Sequence, residues 1–178
     1  KTLNSEIGFK IVSYYCASSK ESMMVRNLPL MTVDMARYTK TLERGFERFP
    51  KRRENWKKLQ TMEYSEICDQ TPGKIYIEPV GRCNFRCIAC DLSALEDGKR
   101  GEDMSLQDFK RMVEQLDGVY EVILNGVGEG TLSRSITEMV QYLADRDIWV
   151  LLSTNGSLLH QRDHYKRLID AGVGELVC

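Results

Sequence analysis

Residues 75–90 read IYIEPVGRCNFRCIAC, an apolar strand-like run followed at once by a loop with three cysteines. The cysteines are Cys83, Cys87 and Cys90, at C-x3-C-x2-C spacing. Three thiolates on one tight loop can hold three corners of a [4Fe–4S] cluster, which leaves one iron without a protein ligand. An open metal position is where a cofactor or substrate can bind. The stretch therefore predicts an open iron–sulfur site directly after a strand.

Two other interpretations of this loop remain open on spacing alone. A zinc site would have to be completed by Cys68 or Asp91, because structural zinc usually has four protein ligands. Three ordinary buried thiols are the second alternative, because free cysteine often packs as a small hydrophobic residue. His160 and His164 lie far from the loop in sequence and are expected to be surface residues. The iron–sulfur site is favoured, because most zinc sites pair two C-x2-C knuckles and this chain has one.

Beyond the loop, strand-like and helix-like patterns alternate along the chain. Apolar runs predict strands at residues 74–80, 121–124, 148–152 and 175–178. Apolar residues at helical spacing predict three intervening helices, which begin near Ser105, near Ser133 or Ser135, and near Leu159, the last ending at Gly172. Alternation of this kind predicts an α/β fold, in which a parallel sheet has helices outside it.

The N-terminal part of the chain lacks this alternation and is predicted to be mainly helical. Thr32 is the expected N-cap of a first helix, which Pro50 ends. A second helix is expected over about 52–62, with its basic residues on a solvated face. A Thr-Pro-Gly turn then marks the predicted boundary between an N-terminal region of unknown role, residues 1–73, and a β/α domain, residues 74–178.

Composition argues against several function classes. The net charge of −1 gives no bulk field toward nucleic acid or an anionic membrane, so neither is an expected partner. Hydrophobic residues make up 42% and charged residues 29%, as in soluble globular proteins, and no apolar run has transmembrane length. Three of the six cysteines crowd onto one tight loop, where neighbouring thiols pair poorly as disulfides. A reducing, cytoplasmic compartment is therefore expected.

Two further motifs follow predicted strands. Residues 124–130 read LNGVGEG, and residues 153–156 read STNG. Glycines let the backbone approach a ligand closely, and carboxylate or amide groups at a strand end can bind its polar atoms. Each motif is also an ordinary turn sequence. All three motifs fall at the carboxyl ends of predicted parallel strands, the edge where barrels of this kind build their active sites.

In this order and spacing, the three motifs resemble those of the radical S-adenosylmethionine (radical SAM) superfamily. That family has a C-x3-C-x2-C loop after the first strand of a parallel barrel, a Gly-Gly-Glu-Pro strand end and a polar third strand end. The resemblance covers residues 74–178 and implies a partial barrel, since the family's barrel has about six strands and this chain reaches the fourth. The chain is therefore expected to be a fragment. It departs from the family at Ala89, often aromatic, and at Gly130, often proline.

The resemblance also implies which residues bind which cofactor. The three cysteines would hold a [4Fe–4S] cluster whose free iron chelates S-adenosylmethionine. In the family, the glycine–glutamate segment holds the amino group of the methionine moiety. The hydroxyl and amide groups at the third strand end of this chain can bind the ribose or carboxylate of the cofactor. The residues implied to contact S-adenosylmethionine are Ala89 through its backbone, Gly126, Gly128, Glu129, Ser153 and Asn155.

The implied reaction is reductive cleavage of S-adenosylmethionine to a 5′-deoxyadenosyl radical. The radical would take hydrogen from a small molecule, such as a sugar or a biosynthetic intermediate. An electron donor such as flavodoxin or ferredoxin is implied. A maturase of a ribosomally made peptide is the alternative within the family, with residues 1–73 helping to bind a leader. A non-catalytic metal-binding module is the alternative outside it, and in such a module Glu129→Ala would leave cofactor binding unaffected.

Overall fold

The computed structural model describes residues 34–62, 70–95 and 101–178. The helices in these ranges are α1 (Met35–Arg48), α2 (Pro50–Thr61), α3 (Leu106–Glu114), α4 (Ile136–Ala144) and α5 (His164–Asp170). The strands are β1 (Lys74–Ile77), β2 (Glu121–Leu124), β3 (Trp149–Ser153) and β4 (Glu175–Val177). Among these residues, no helix is long and apolar enough to cross a membrane.

The strands form one parallel sheet in the order β1-β2-β3-β4. Helices α3, α4 and α5 each connect one strand to the next. The register places Ile75 beside Val122 and Val122 beside Val150, so that apolar side chains align across the sheet. The predicted α/β fold with a parallel sheet is thereby confirmed. Because the carboxyl ends of the strands lie on one edge, the loops that follow β1, β2 and β3 meet there.

One face of the sheet is sealed by helices. The strand residues on that face are at most 2% exposed: Ile75, Ile77, Val122, Leu124, Val150 and Leu152. They share a core with Phe109 of α3 and Met139 of α4. Because successive strand residues point to opposite faces, Tyr76, Leu151 and Ser153 lie on the other face, where they are only half-buried. Ile123 and Trp149 lie on the same face and are 8% and 4% exposed. The sheet is therefore closed on one side and only partly open on the other.

Two predicted helix ends are confirmed. Ser105 caps α3, its hydroxyl accepting a backbone N–H of the first turn. Gly172, at φ 92°, follows the last residues of α5. The N–H of Gly172 donates to the carbonyl of Ile169, and that of Val173 donates to the carbonyl of Leu168. This pair of bonds is a Schellman motif, which needs the left-handed backbone that glycine adopts at little cost.

Two other predicted boundaries were wrong. Asp34 is the N-cap of α1, where its carboxylate accepts the N–H of Arg37 at 3.0 Å. Thr32, the predicted cap, lies outside the described residues. Strand β1 ends at Ile77 rather than three residues later. Pro79 lies in the part of the predicted strand that is not a strand in the structure. It has no backbone N–H to donate to a neighbouring strand.

The predicted third helix was wrong in its first half, and His164 was wrongly placed on the surface. Arg162 and Asp163 have φ values of 50° and 53°, so a regular helix begins only at His164. His164 is 7% exposed. Burial lowers the pKa of His164, and the nearby charge of Arg167 lowers it further. The face of α5 that carries His164 therefore points to the protein interior.

Helices α1 and α2 pack against the amino edge of the sheet, opposite the three motifs. Arg37 donates to the carbonyl of Val173 at 2.7 Å, and the Tyr38 hydroxyl donates to Glu121 at 2.7 Å. These contacts join α1 to the loop before β4 and to β2. The boundary proposed at residue 73 stays a prediction.

Arg52 corrects the expectation of a fully solvated basic helix face on α2. It is 4% exposed, and its guanidinium donates to the carbonyls of Arg146 at 2.9 Å and Asp147 at 3.2 Å. The same guanidinium lies 4.5 Å from the ring centroid of Phe49. Burial lowers the pKa of Arg52 to about 10. The side chain is buried because it satisfies backbone carbonyls in the turn before β3.

Replacing Asp147 by asparagine is expected to weaken the attachment of α1. The buried Asp147 carboxylate pairs with Arg44 and Arg48, whose side chains are 51% and 55% exposed. Both arginines can regain water, so the expected loss in unfolding free energy is about 2 kcal/mol, below that of a fully buried pair. Asparagine also tolerates the φ of 50° at this position, so the substitution removes the negative charge without straining the backbone. Urea denaturation followed by circular dichroism measures the loss.

The matched control is Asp170→Asn, because Asp170 is an exposed aspartate of α5. It is expected to change the unfolding free energy by less than about 0.5 kcal/mol. Equal losses in the two variants would contradict the role given to Asp147.

Candidate functional site

A cavity of about 220 Å³ lies at the carboxyl edge of the sheet. The loops after β1, β2 and β3 all contribute to it. Its lining consists of Cys83, Phe85 and Cys87 from the first loop, residues 125–129 from the second, and residues 153–155 from the third. The three sequence motifs, which are far apart along the chain, therefore meet at one place.

The cavity collects most of the residues predicted to bind a cofactor. The predicted S-adenosylmethionine contacts that line it are Gly126, Gly128, Glu129, Ser153 and Asn155. Ala89 is exposed and lies outside the lining, and so does Cys90, which is half-buried. The structure thus brings two of the three cysteines to the cavity and leaves the third beside it. The role of each residue toward a cofactor stays a prediction.

The cysteines offer a donor set that fits an iron–sulfur cluster. Cys83, Cys87 and Cys90 are free thiols on one loop, and the first two face the cavity. The sulfur of Cys83 accepts the N–H of Phe85 at 3.4 Å, an arrangement that suits a thiolate. Across the described ranges, no three His, Cys, Asp or Glu side chains are grouped closely enough to hold a metal ion. The fit therefore rests on the chemistry and common loop of the thiols.

Glu129 joins the ends of β2 and β3. It is 3% exposed. One carboxylate oxygen accepts the N–H of Thr131 at 3.0 Å, the Thr131 hydroxyl, and the Thr154 hydroxyl at 2.7 Å. The other accepts the N–H of Asn155 at 2.7 Å. The carboxylate already receives four donors from the chain itself, so it fixes the shape of the cavity wall.

Glu78 is a site residue that the sequence analysis missed. Its carboxylate accepts the N–H groups of Val127 at 2.6 Å and Gly128 at 3.0 Å. A Cβ added at Gly126 would lie 2.3 Å from the Cγ of Glu78, and one added at Gly128 would lie 1.8 Å from the carbonyl oxygen of Val80. Both glycines are thus needed for close contact with the loop after β1. The signal for Glu78 was a carboxylate at the end of an apolar strand.

Replacing Gly128 by alanine is expected to lower the unfolding free energy by about 3 kcal/mol, because the new Cβ meets a backbone oxygen that cannot turn away. Gly130→Ala is the matched control on the same loop. There the added Cβ would lie 3.2 Å from the end of the Leu152 side chain, which can move. A loss below about 1 kcal/mol is expected for the control. Urea denaturation measures both variants. If Gly128→Ala lost as little unfolding free energy as Gly130→Ala, the loop after β1 would be able to move away from the new Cβ, contrary to this prediction.

Three polar side chains connect the cysteine loop to the β3 loop, and we call Asn84, Asn155 and Ser157 the amide clasp. The amide nitrogen of Asn155 lies 2.9 Å from the amide oxygen of Asn84 and 3.8 Å from the sulfur of Cys83. The amide nitrogen of Asn84 donates to the Ser157 hydroxyl at 2.8 Å. Of these three residues, only Asn155 was predicted from the sequence. Sequence position was the available signal for the other two, because Ser157 lies two residues after Asn155 and Asn84 lies within the cysteine motif.

Sequence comparison matches the chain to one protein family and to named relatives. The family model described as the radical SAM superfamily matches residues 77–177. The chain is 29% identical over 93 residues to Fe-coproporphyrin III synthase of Methanosarcina barkeri, which covers 52% of this chain and 23% of that protein. It is 30% identical over 102 residues to the tungsten-containing aldehyde ferredoxin oxidoreductase cofactor-modifying protein of Pyrococcus furiosus. That match covers 56% of this chain and 28% of that protein. The chain thus spans about a quarter of the length of these relatives.

Solved structures show the same fold. The crystal structure of BtrN in complex with AdoMet and 2-DOIA matches with a TM-score of 0.53 at 23% identity, over 61% of this chain and 46% of that one. BtrN in an open conformation matches with a TM-score of 0.52 at 21% identity, over 61% and 50%. This likeness supports the predicted partial barrel of the radical SAM type. Because the family model covers more than half of the chain, from the end of β1 to β4, the chain belongs to the radical SAM superfamily.

Proposed function

We propose that the protein is an enzyme that cleaves S-adenosylmethionine reductively and uses the product radical to take hydrogen from a small-molecule substrate. The observation that supports this most is the meeting of three strand-end motifs at one cavity. Radical SAM proteins use a [4Fe–4S] cluster and S-adenosylmethionine, and the family match covers the segment that contains all three motifs.

Cys83, Cys87 and Cys90 would hold the cluster through their thiolates. When bound, the cluster supplies one electron that breaks the S–C5′ bond of S-adenosylmethionine, giving methionine and a 5′-deoxyadenosyl radical. The task of the chain is to orient the cofactor beside the cysteine loop and to exclude water. Phe85, which lines the cavity while remaining 44% exposed, is placed to shield this region.

The β2 and β3 loops would bind S-adenosylmethionine. An ammonium group can only donate hydrogen bonds, and Glu78 already holds the N–H groups of Val127 and Gly128. What the β2 loop offers the methionine moiety is therefore its carbonyl oxygens. Ser153 adds a half-buried hydroxyl on the facing strand end. Glu129 acts by positioning these two loops.

A biosynthetic intermediate is the substrate class we propose. The curated relatives are named for the synthesis of Fe-coproporphyrin III and for the modification of an enzyme cofactor, and neither name refers to a peptide. The electron donor would be a flavodoxin or ferredoxin, and a reducing cytoplasm would suit the free thiols. In this proposal residues 74–178 form the first half of the barrel, and residues 1–73 form an N-terminal region. The peptide maturase remains the alternative within the family.

The test is formation of 5′-deoxyadenosine by the full-length protein. The protein is purified and reconstituted without oxygen, reduced with dithionite and given S-adenosylmethionine. Liquid chromatography with mass spectrometry should detect 5′-deoxyadenosine and methionine in equal amounts. A full cluster with no 5′-deoxyadenosine, with or without a pool of small metabolites as substrate, would overturn the proposal.

A further inference from the structure

The amide of Asn155 approaches one particular cysteine. Its nitrogen lies 3.8 Å from the Cys83 sulfur, which also accepts the N–H of Phe85 at 3.4 Å. Within the described residues, the sulfurs of Cys87 and Cys90 receive no such donor. The loop is therefore asymmetric, with hydrogen bonds concentrated on the cysteine nearest the β3 loop.

The orientation of this amide is determined by its neighbours. The Asn155 side-chain oxygen accepts the backbone N–H of Ser157 at 3.0 Å and the Ser157 hydroxyl at 2.7 Å. A backbone N–H can only donate, so the group facing Ser157 must be the oxygen and the group facing the cysteine loop must be the nitrogen. The Asn84 oxygen, 2.9 Å from that nitrogen, holds it in place from the other side.

We propose that Asn155 is a positioning residue that tunes the Cys83 thiolate. A hydrogen bond to a ligating sulfur withdraws negative charge, and so it favours the reduced and more negative form of a cluster. The amide clasp would thus raise the reduction potential and make the cluster easier to reduce. This inference rests on the proposed function, because it requires Cys83 to be a cluster ligand. It differs from a contact with S-adenosylmethionine in acting without that cofactor.

The test is a redox titration monitored by electron paramagnetic resonance, on the reconstituted full chain without S-adenosylmethionine. Asn155→Ala and Asn84→Ala are each expected to lower the equilibrium constant for one-electron reduction about threefold to tenfold. At 59 mV per tenfold, that is a shift of about 28 to 59 mV toward more negative potential. Gln141→Ala is the control, because this glutamine has an exposed amide side chain on α4 and does not line the cavity. Its potential should equal that of the wild type.

Each outcome decides the inference. Unchanged reduction potentials in both clasp variants would overturn the inference. If S-adenosylmethionine binding, measured separately, were weaker in Asn155→Ala while its potential stayed unchanged, Asn155 would be assigned to contact with that cofactor alone. If Asn155→Ala holds no cluster, Asn84→Ala decides in the same way, since it keeps the Asn155 side chain and removes only the oxygen that orients its amide. A wild type that binds no iron would instead refute the proposed function, and the two failures are distinguishable because no potential could then be measured.

Discussion

Replacing Cys87 by alanine is expected to abolish cluster binding and S-adenosylmethionine cleavage together. Cys87 is one of only three thiols on the loop and faces the cavity directly. Loss of a ligand should exceed the 10- to 100-fold effect of outer-shell changes, so we expect cleavage to fall more than about 100-fold. Iron content, the visible absorption of the cluster and 5′-deoxyadenosine formation measure the loss on the same sample.

Cys178→Ala is the control for this change. Cys178 is the fourth described cysteine, exposed just after β4. If three cysteines suffice, its removal should leave iron content at the wild-type level. Iron lost equally from both variants would mean that Cys178 completes a four-cysteine site, and the open iron position would have to be abandoned.

Replacing Glu129 by alanine is expected to destabilise the fold by about 3 kcal/mol or more. The buried carboxylate accepts two backbone N–H groups, from Thr131 and Asn155, which would be left without a partner. Each such buried group costs about 1–3 kcal/mol, while the threonine hydroxyls can rotate to other acceptors. With the β2 and β3 loops released, S-adenosylmethionine binding should weaken at least about tenfold, or about 1.4 kcal/mol. Urea denaturation and equilibrium binding on matched samples measure the two effects.

Glu138→Ala provides the comparison, because Glu138 is an exposed glutamate of α4. It should alter the unfolding free energy by less than about 0.5 kcal/mol and leave binding unchanged. Unaffected cofactor binding in Glu129→Ala would favour the non-catalytic metal-binding module over the enzyme.

The parts of the fold predicted correctly are those with local causes. Ser105 and Gly172 act on backbone groups within a few residues of themselves, so their roles can be predicted from a short stretch. The strand at 121–124 is a short apolar run buried on both faces, and its limits were predicted correctly. The meeting of the three motifs followed from strand direction alone, because parallel strands place their carboxyl ends together.

The parts that were missed depend on partners distant in sequence. Arginine in a basic run is usually a surface residue. Only the backbone carbonyls 94 and 95 positions away explain the burial of Arg52. Glu78 binds N–H groups about 50 residues later, and Asn84 meets Asn155 across a separation of 71. No local pattern contains these pairings. They emerge only when the β1, β2 and β3 loops are brought to the same edge.

The proposed function requires the cysteine loop to hold a [4Fe–4S] cluster with one iron open to S-adenosylmethionine. Its most direct test is the electron paramagnetic resonance spectrum of the reduced, full-length protein, with and without S-adenosylmethionine, alongside metal analysis. We predict about four iron atoms per chain and a cluster signal that changes when S-adenosylmethionine is added. About one zinc and no iron per chain, or a cluster signal that S-adenosylmethionine leaves unaltered, would contradict the claim.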